Sequence, residues 1–256
     1  MKKLILLVIL FTINLSAQKN IEHLFKGIDG CFIMYDFNND EYFHYNEERC
    51  NTRMLPASTF KIPNSMIFLE EGIIPDENYV IKWDSVDRGW DKWNMDHDLK
   101  SALKYSAVWY YQELARKVDR EIYMNYLDEL NYGNKIIGDK IDYFWLDWSL
   151  RISADEQIKF LKKFVKNNLP FSQRNIDIVK RIMIAEETGN YILRGKTGLG
   201  DLRDGIYTGW YVGYVETKDN IFVFALNMDA CDYEKITSLA RINLTRKILK
   251  ELNVLK

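Results

Sequence analysis

Ser58 and Lys61 stand three residues apart, just after Pro56 and ahead of an apolar run from Ile62 to Leu69. Residues at i and i+3 share one face of a helix, so the spacing sets an amine beside a hydroxyl. A serine hydroxyl is a weak nucleophile until a neighbouring base takes its proton. A lysine can be that base only when neutral, and burial lowers its pKa. In isolation the pair reads better as an N-capping serine and a solvated lysine on a surface helix. The sequence downstream favours chemistry.

Two further pieces follow in order. Ser106-Ala107-Val108 lies inside a helical stretch, Leu99 to Val118, and Lys196-Thr197-Gly198 ends a strand-like segment, Tyr191 to Gly195. Ser-x-x-Lys, a serine triplet and Lys-Thr-Gly form the signature set of penicillin-recognising serine enzymes. Three more stretches narrow the class: Tyr132-Gly133-Asn134, Phe144-Trp145-Leu146, and the aromatic strand Gly209-Trp210-Tyr211-Val212-Gly213-Tyr214. The middle triplet ends in Val where related enzymes carry Asn. On these motifs the chain resembles a class D (OXA-type) serine β-lactamase over almost everything after its N-terminal leader.

The resemblance implies a role for each matched residue. Ser58 would open the lactam and carry the acyl group. Lys61 would work as an N6-carboxylysine, a carbamate formed from CO2, which is the one small-molecule addition implied. Phe60, Val108, Trp145 and Leu146 are the apolar residues expected around it, and the Trp145 indole N–H is the donor expected to hold the carbamate. Ser106 would pass a proton to the departing nitrogen. The backbone N–H groups of Ser58 and Leu199 would form an oxyanion hole. Lys196, Thr197 and Gly198 would meet the substrate carboxylate together with Arg241, whose forked guanidinium suits a carboxylate; Arg246 is the alternative for that last role.

Other candidates read differently. Asp128-Glu129-Leu130-Asn131 imitates a loop that supplies a base in class A enzymes, but it runs directly into Tyr132-Gly133-Asn134, so Glu129 is expected on the surface at a helix end. His23, His44 and His97 are scattered, without metal-ligand spacing and without the partners of a Ser-His-Asp triad. No metal is expected. Trp90 and Trp93 could wall a cleft or pack in the core. Leu199 to Thr208, with Asp201, Arg203 and Asp204, is expected to join two strands at the cleft edge and tune specificity.

These groups need elements to hold them. Gly30 to Phe37 and Glu41 to Tyr45 read as strands around the turn Asn38-Asn39-Asp40. From Ser58 to Glu187 helical periodicity dominates, as in Leu99 to Val118, Arg120 to Leu130 and Ala154 to Val165, the last with Ser153 as N-cap. Tyr191 to Thr197, Tyr207 to Glu216 and Ile221 to Met228 read as an antiparallel meander. Ile236 to Leu252 reads as a closing amphipathic helix whose apolar side holds Ile236, Leu239, Ala240, Leu244 and Ile248. The expected fold is α+β and DD-peptidase-like: an antiparallel sheet of about five strands flanked by helices, with a helical subdomain roughly over 61–187 inserted beside it. A cleft between sheet and helices would gather Ser58, Ser106 and Lys196.

The chain has 256 residues, a formal net charge of −2 and 14% aromatic residues. That length suits one large domain, here 18–256, and the aromatic content excludes a disordered chain. The near-neutral charge gives no footprint for nucleic acid; the expected partners are β-lactams, met by a monomer or homodimer. Met1 to Ala17 has a basic start, an apolar core from Leu4 to Ile13 and small residues at its end. This is the pattern of a cleaved signal peptide, and it implies a secreted or periplasmic protein. Cys31, Cys50 and Cys231 make an odd count, so at least one thiol stays unpaired. Two other readings share the motifs: a β-lactam sensor, which stays acylated, and a penicillin-binding D,D-peptidase. The Ser-x-Val triplet and the Phe-Trp-Leu box weigh against the peptidase.

Overall fold

The computed structural model describes residues 21–201 and 205–255; the leader, Met1 to Ala17, lies outside them. The described residues form one six-stranded sheet of order β2-β1-β6-β5-β4-β3 with every neighbouring pair antiparallel. The strands are β1 (Asp29–Asp36), β2 (Glu41–Tyr45), β3 (Ile184–Glu187), β4 (Tyr191–Asp201), β5 (Tyr207–Thr217) and β6 (Ile221–Ala230). Asp36 caps the first hairpin, its Oδ1 accepting from the N–H groups of Asn38 and Asn39.

Side chains alternate across the sheet with period two. Phe32, Met34, Phe224 and Leu226 point to one face, where they meet Leu244, Ile248 and Leu249 of the C-terminal helix. Cys31, Ile33, Tyr35, Trp210, Val212 and Tyr214 point to the other, larger core, shared with the helical region. The helices are α1 (Glu47–Asn51), α2 (Lys61–Glu70), α3 (Leu99–Tyr105), α4 (Val108–Ala115), α5 (Arg120–Glu129), α6 (Ala154–Val165), α7 (Gln173–Ile182) and α8 (Ser238–Glu251). Every residue of α2 from Lys61 to Leu69 is buried, so this helix runs through the middle of the larger core. Ser153 caps α6 in a reciprocal capping box with Glu156, as expected.

Four expectations need correction. The sheet has six strands, not about five. The sixth, β3, lies at the end of the stretch read as helical; it is short and carries Glu186 and Glu187, which suits an exposed edge. Leu99 to Val118 is two helices, not one, because Ser106 adopts a left-handed conformation (φ 54°, ψ 35°) that ends α3. Lys196-Thr197-Gly198 does not end a strand; it sits within the eleven residues of β4. In the closing helix, a 3-10 turn over Tyr233–Ile236 precedes α8, and Leu239 is 66% exposed rather than inward.

Candidate active site

Ser58 lies in a 3-10 turn, Ala57–Phe60, that leads directly into α2 at Lys61. The turn places the Lys61 Nζ 3.1 Å from Ser58 Oγ, and Ser58 does not cap the helix. Lys61 is fully buried, and that burial alone brings its pKa down to about 7 from the ordinary lysine value. An amine poised there is neutral for much of the time at physiological pH and can accept a proton. Phe60, the residue before it, stacks on Trp145 with ring centroids 5.9 Å apart.

Two neighbours of Lys61 escaped the sequence reading. Its Nζ sits 4.9 Å from the centroid of the Tyr111 ring. The Tyr111 hydroxyl meets Ser65 Oγ at 2.8 Å, and Ser65 donates to the Lys61 carbonyl at 2.7 Å. The available signal was spacing: Ser65 is four residues after Lys61 on α2, and Tyr111 three after Val108 on α4.

Ser106 reaches the same place from the helical side. Its left-handed backbone breaks α3 from α4, a conformation that is uncommon for a serine. Lys196 Nζ donates to Ser106 Oγ at 2.5 Å and to Thr197 O at 2.8 Å. Burial pushes the Lys196 amine well below the ordinary lysine range, and the nearby Lys61 and Arg241 charges push it further.

Arg241 projects from α8 and is almost fully buried. Its Nη1 donates to the carbonyls of Gly198 and Trp210, and its Nη2 donates to Ser238 Oγ at 3.1 Å. A side chain on Gly209 would come within 2.7 Å of the Arg241 Cδ, so glycine there leaves the arginine its path to β4. Burial lowers the Arg241 pKa to about 10, below which it stays charged. Arg246, the alternative, is ion-paired with Glu186 of β3 and is absent from the cleft wall.

The cleft has a volume of about 660 Å³. Ser58, Ser106, Val108, Leu146, Thr197, Leu199 and Arg241 line it. Trp90 and Trp93 also line it, with rings 5.8 Å apart, so they wall the cleft. Gly198 contributes its carbonyl to Arg241. Glu129 is exposed at the end of α5, as expected. Leu199 and Thr208 belong to β4 and β5 rather than to a loop, and Arg203 and Asp204 lie outside the described residues. His97 is buried with both ring nitrogens engaged, by Ser101 Oγ and Lys92 O; His23 and His44 face Glu251 and Asp155.

Trp145 is fully buried, yet its indole N–H has no hydrogen-bond partner among the described residues. A buried donor without an acceptor costs about 1–3 kcal/mol. A buried amine with a lowered pKa, and an unpartnered N–H on the ring that stacks against the adjoining Phe60, fit a carbamate on Lys61. The Tyr132-Gly133-Asn134 box positions this segment. Asn134 accepts from Arg151 N at 2.9 Å and donates to Ser149 O at 2.8 Å. Gly133 has φ +56°, and a side chain there would fall 2.0 Å from Arg151 O. Tyr132 packs edge-on against Phe60. Gln157 of α6 links Tyr132 to Thr59, beside Ser58. The box therefore staples the Trp145 segment to the serine turn.

The penicillin binding protein transpeptidase domain family matches residues 30–250. The sequence is 43% identical over 230 residues to the β-lactamase OXA-48 of Klebsiella pneumoniae, covering 90% of this chain and 84% of that one. It is 38% identical over 216 residues to the regulatory protein BlaR1 of Bacillus licheniformis, covering 84% of this chain but 36% of that protein. The crystal structure of the class D β-lactamase YbXI from Nostoc superposes with a TM-score of 0.88 at 41% identity, covering 92% of this chain and 99% of that one. Fold, cleft and relatives agree: the chain belongs to the class D β-lactamases, within the penicillin-binding transpeptidase family.

Proposed function

We propose that this chain hydrolyses β-lactam antibiotics through an acyl-enzyme on Ser58 and so confers resistance to them. The observation that carries this reading is the contact between Ser58 Oγ and the buried Lys61 amine. Ser58 Oγ attacks the lactam carbonyl, and its proton leaves toward the Lys61 side chain, the base placed beside it. The backbone N–H groups of Ser58 and Leu199 stabilise the oxyanion, a contribution of about 3–4 kcal/mol per donor in other acyl transfers. Ser106, held by Lys196, delivers a proton to the lactam nitrogen as the ring opens. Arg241 brings a positive charge, Lys196 an amine and Thr197 a hydroxyl to the substrate carboxylate, beside Gly198. A carbamate on Lys61 supplies an anionic base in the same position. Trp145 would hold it, and the apolar wall of Phe60, Val108 and Leu146 keeps bulk water from it.

The class needs no metal or organic cofactor. All the groups named here come from one chain, so a monomer suffices for the chemistry. We propose further that the protein is exported, on the basic start, apolar core and small-residue end of Met1 to Ala17.

The match to BlaR1 keeps one competing reading in play, a sensor that acylates without turnover. Purified protein mixed with a chromogenic cephalosporin separates the two. Hydrolysis of many equivalents is the expected outcome. A burst of one equivalent followed by silence would overturn the hydrolase.

A further inference from the structure

Cys31 and Cys50 are both fully buried, and the fold presses them together from three directions. Cys31 lies in β1, paired with Asn227 of β6. Cys50 lies in α1, and Arg49 beside it donates to Asn227 Oδ1 through Nε at 3.1 Å and Nη2 at 2.8 Å. Asn46, the N-cap of α1, donates to Gly30 O at 3.1 Å, one residue before Cys31. Cys50 Sγ donates to Tyr45 O at 3.6 Å, and Tyr45 is the cross-strand partner of Phe32, one residue after Cys31. Each side of Cys50 is thus tied to a neighbour of Cys31, and the two cysteines, both free thiols here, share one buried cluster. Cys231 is exposed, just past the end of β6.

We propose that Cys31 and Cys50 are a disulfide-forming pair and that Cys231 is the thiol left over. The odd cysteine count left open which thiol stays free; packing assigns it. The bond would clamp α1 to β1, just ahead of the Ala57–Phe60 turn that carries Ser58. In the reaction, the two thiols exchange with the disulfide of glutathione or of a thiol–disulfide oxidoreductase. One Cys31–Cys50 bond forms, the reagent's S–S bond breaks, and its two sulfurs leave as thiols carrying the two protons. The attacking species is a thiolate. In the folded protein the Cys31 thiol and burial push the Cys50 thiol far above its ordinary range. Exchange therefore belongs to the stage before β1, β2 and α1 close over the pair. Whether the bond forms in the cell depends on export to an oxidising compartment, the reading based on the leader; the pairing itself does not.

Refolding from denaturant tests the pair without the cell. One portion is refolded in a glutathione redox buffer and one under reductant, and recovered turnover of a chromogenic cephalosporin certifies the fold of both. Maleimide labelling after denaturation, read by intact mass, should then add one label to the oxidised portion, at Cys231, and three to the reduced one. Peptide mapping should show Cys31 linked to Cys50. The oxidised form should melt about 5–10 °C higher, the effect of closing a short loop in a chain of this size. Cys50→Ala should abolish the difference between the two portions, and Cys231→Ala should keep it. Three labels on active, oxidised protein, or a link to Cys231, would overturn the proposal. Labelling at lysis of cells making the full chain adds the second arm: one label supports export, whereas three labels alongside a successful refolding arm would overturn export and leave the pair standing.

Discussion

The Lys196 amine and the Ser106 hydroxyl meet at 2.5 Å, joining the middle of β4 to the break between α3 and α4. Neither element alone makes a proton path; their contact does. Ser106→Ala and Lys196→Ala should each lower kcat/KM by about 100-fold or more, the scale of a lost acid–base group. Because the two share one hydrogen bond, the double variant should lose far less than the product of the single losses. Steady-state kinetics on one penicillin decide this; fully multiplicative losses would mean that the two act independently.

Burial holds the Lys61 pKa near 7, so the amine is neutral above that pH and protonated below it. CO2 adds only to the neutral amine. After decarboxylation in acid under degassed buffer, the activity restored by bicarbonate should therefore rise with pH, with a midpoint near 7. Stability carries the same sign. Between about pH 7 and the ordinary lysine value, the unfolded chain binds more protons at this site, so folding gains from Lys61 as pH rises. Lys61→Met should remove both the bicarbonate response and this part of the stability profile.

Trp145 offers a buried N–H with no acceptor among the described residues. Trp145→Phe keeps an aromatic ring and removes that donor. The variant should need about 10-fold or more bicarbonate for half-maximal activity, the scale of a hydrogen bond to a charged group. Bicarbonate titration of wild type and variant measures it, and superimposable curves would show that the indole does not hold the modified lysine.

Much of this site was legible because it is written in short motifs. Ser58 with Lys61, Ser106 and Lys196 all converge on one cleft as the spacing suggested. What escaped the sequence was backbone geometry. Ser106 sits in an apolar pattern with unbroken helical periodicity, and nothing in a serine announces a left-handed backbone. Gly195, Gly198 and Gly200 dilute the apolar pattern of β4 at the residues it carries through the site. Ile184 to Glu187 is too short and too exposed to show a period, and so the edge strand was missed. The role of Tyr132-Gly133-Asn134 depends on carbonyl and amide groups at 149–151, contacts between segments well apart in the chain. The Cys31–Cys50 proximity needs the register of β1 against β6.

Gly133 tests the staple. A methyl group there meets Arg151 O at 2.0 Å, on a backbone with φ +56°. Gly133→Ala should cost about 2 kcal/mol or more and lower the melting temperature by about 5 °C or more. It should also raise the bicarbonate requirement, since the Trp145 segment shifts with it. Thermal melts and the same titration check both; a variant that melts and titrates like wild type would remove the box from the account.

Everything in the proposed reaction turns on Ser58 carrying the acyl group. Rapid acid quench of the enzyme during turnover of a penicillin, followed by peptide mapping, tests it most directly. A mass increase equal to the whole penicillin is expected on the peptide holding Ser58, with no adduct and no turnover in a folded Ser58→Ala variant. An adduct on Ser65 or Ser106, or turnover that survives in Ser58→Ala, would contradict it.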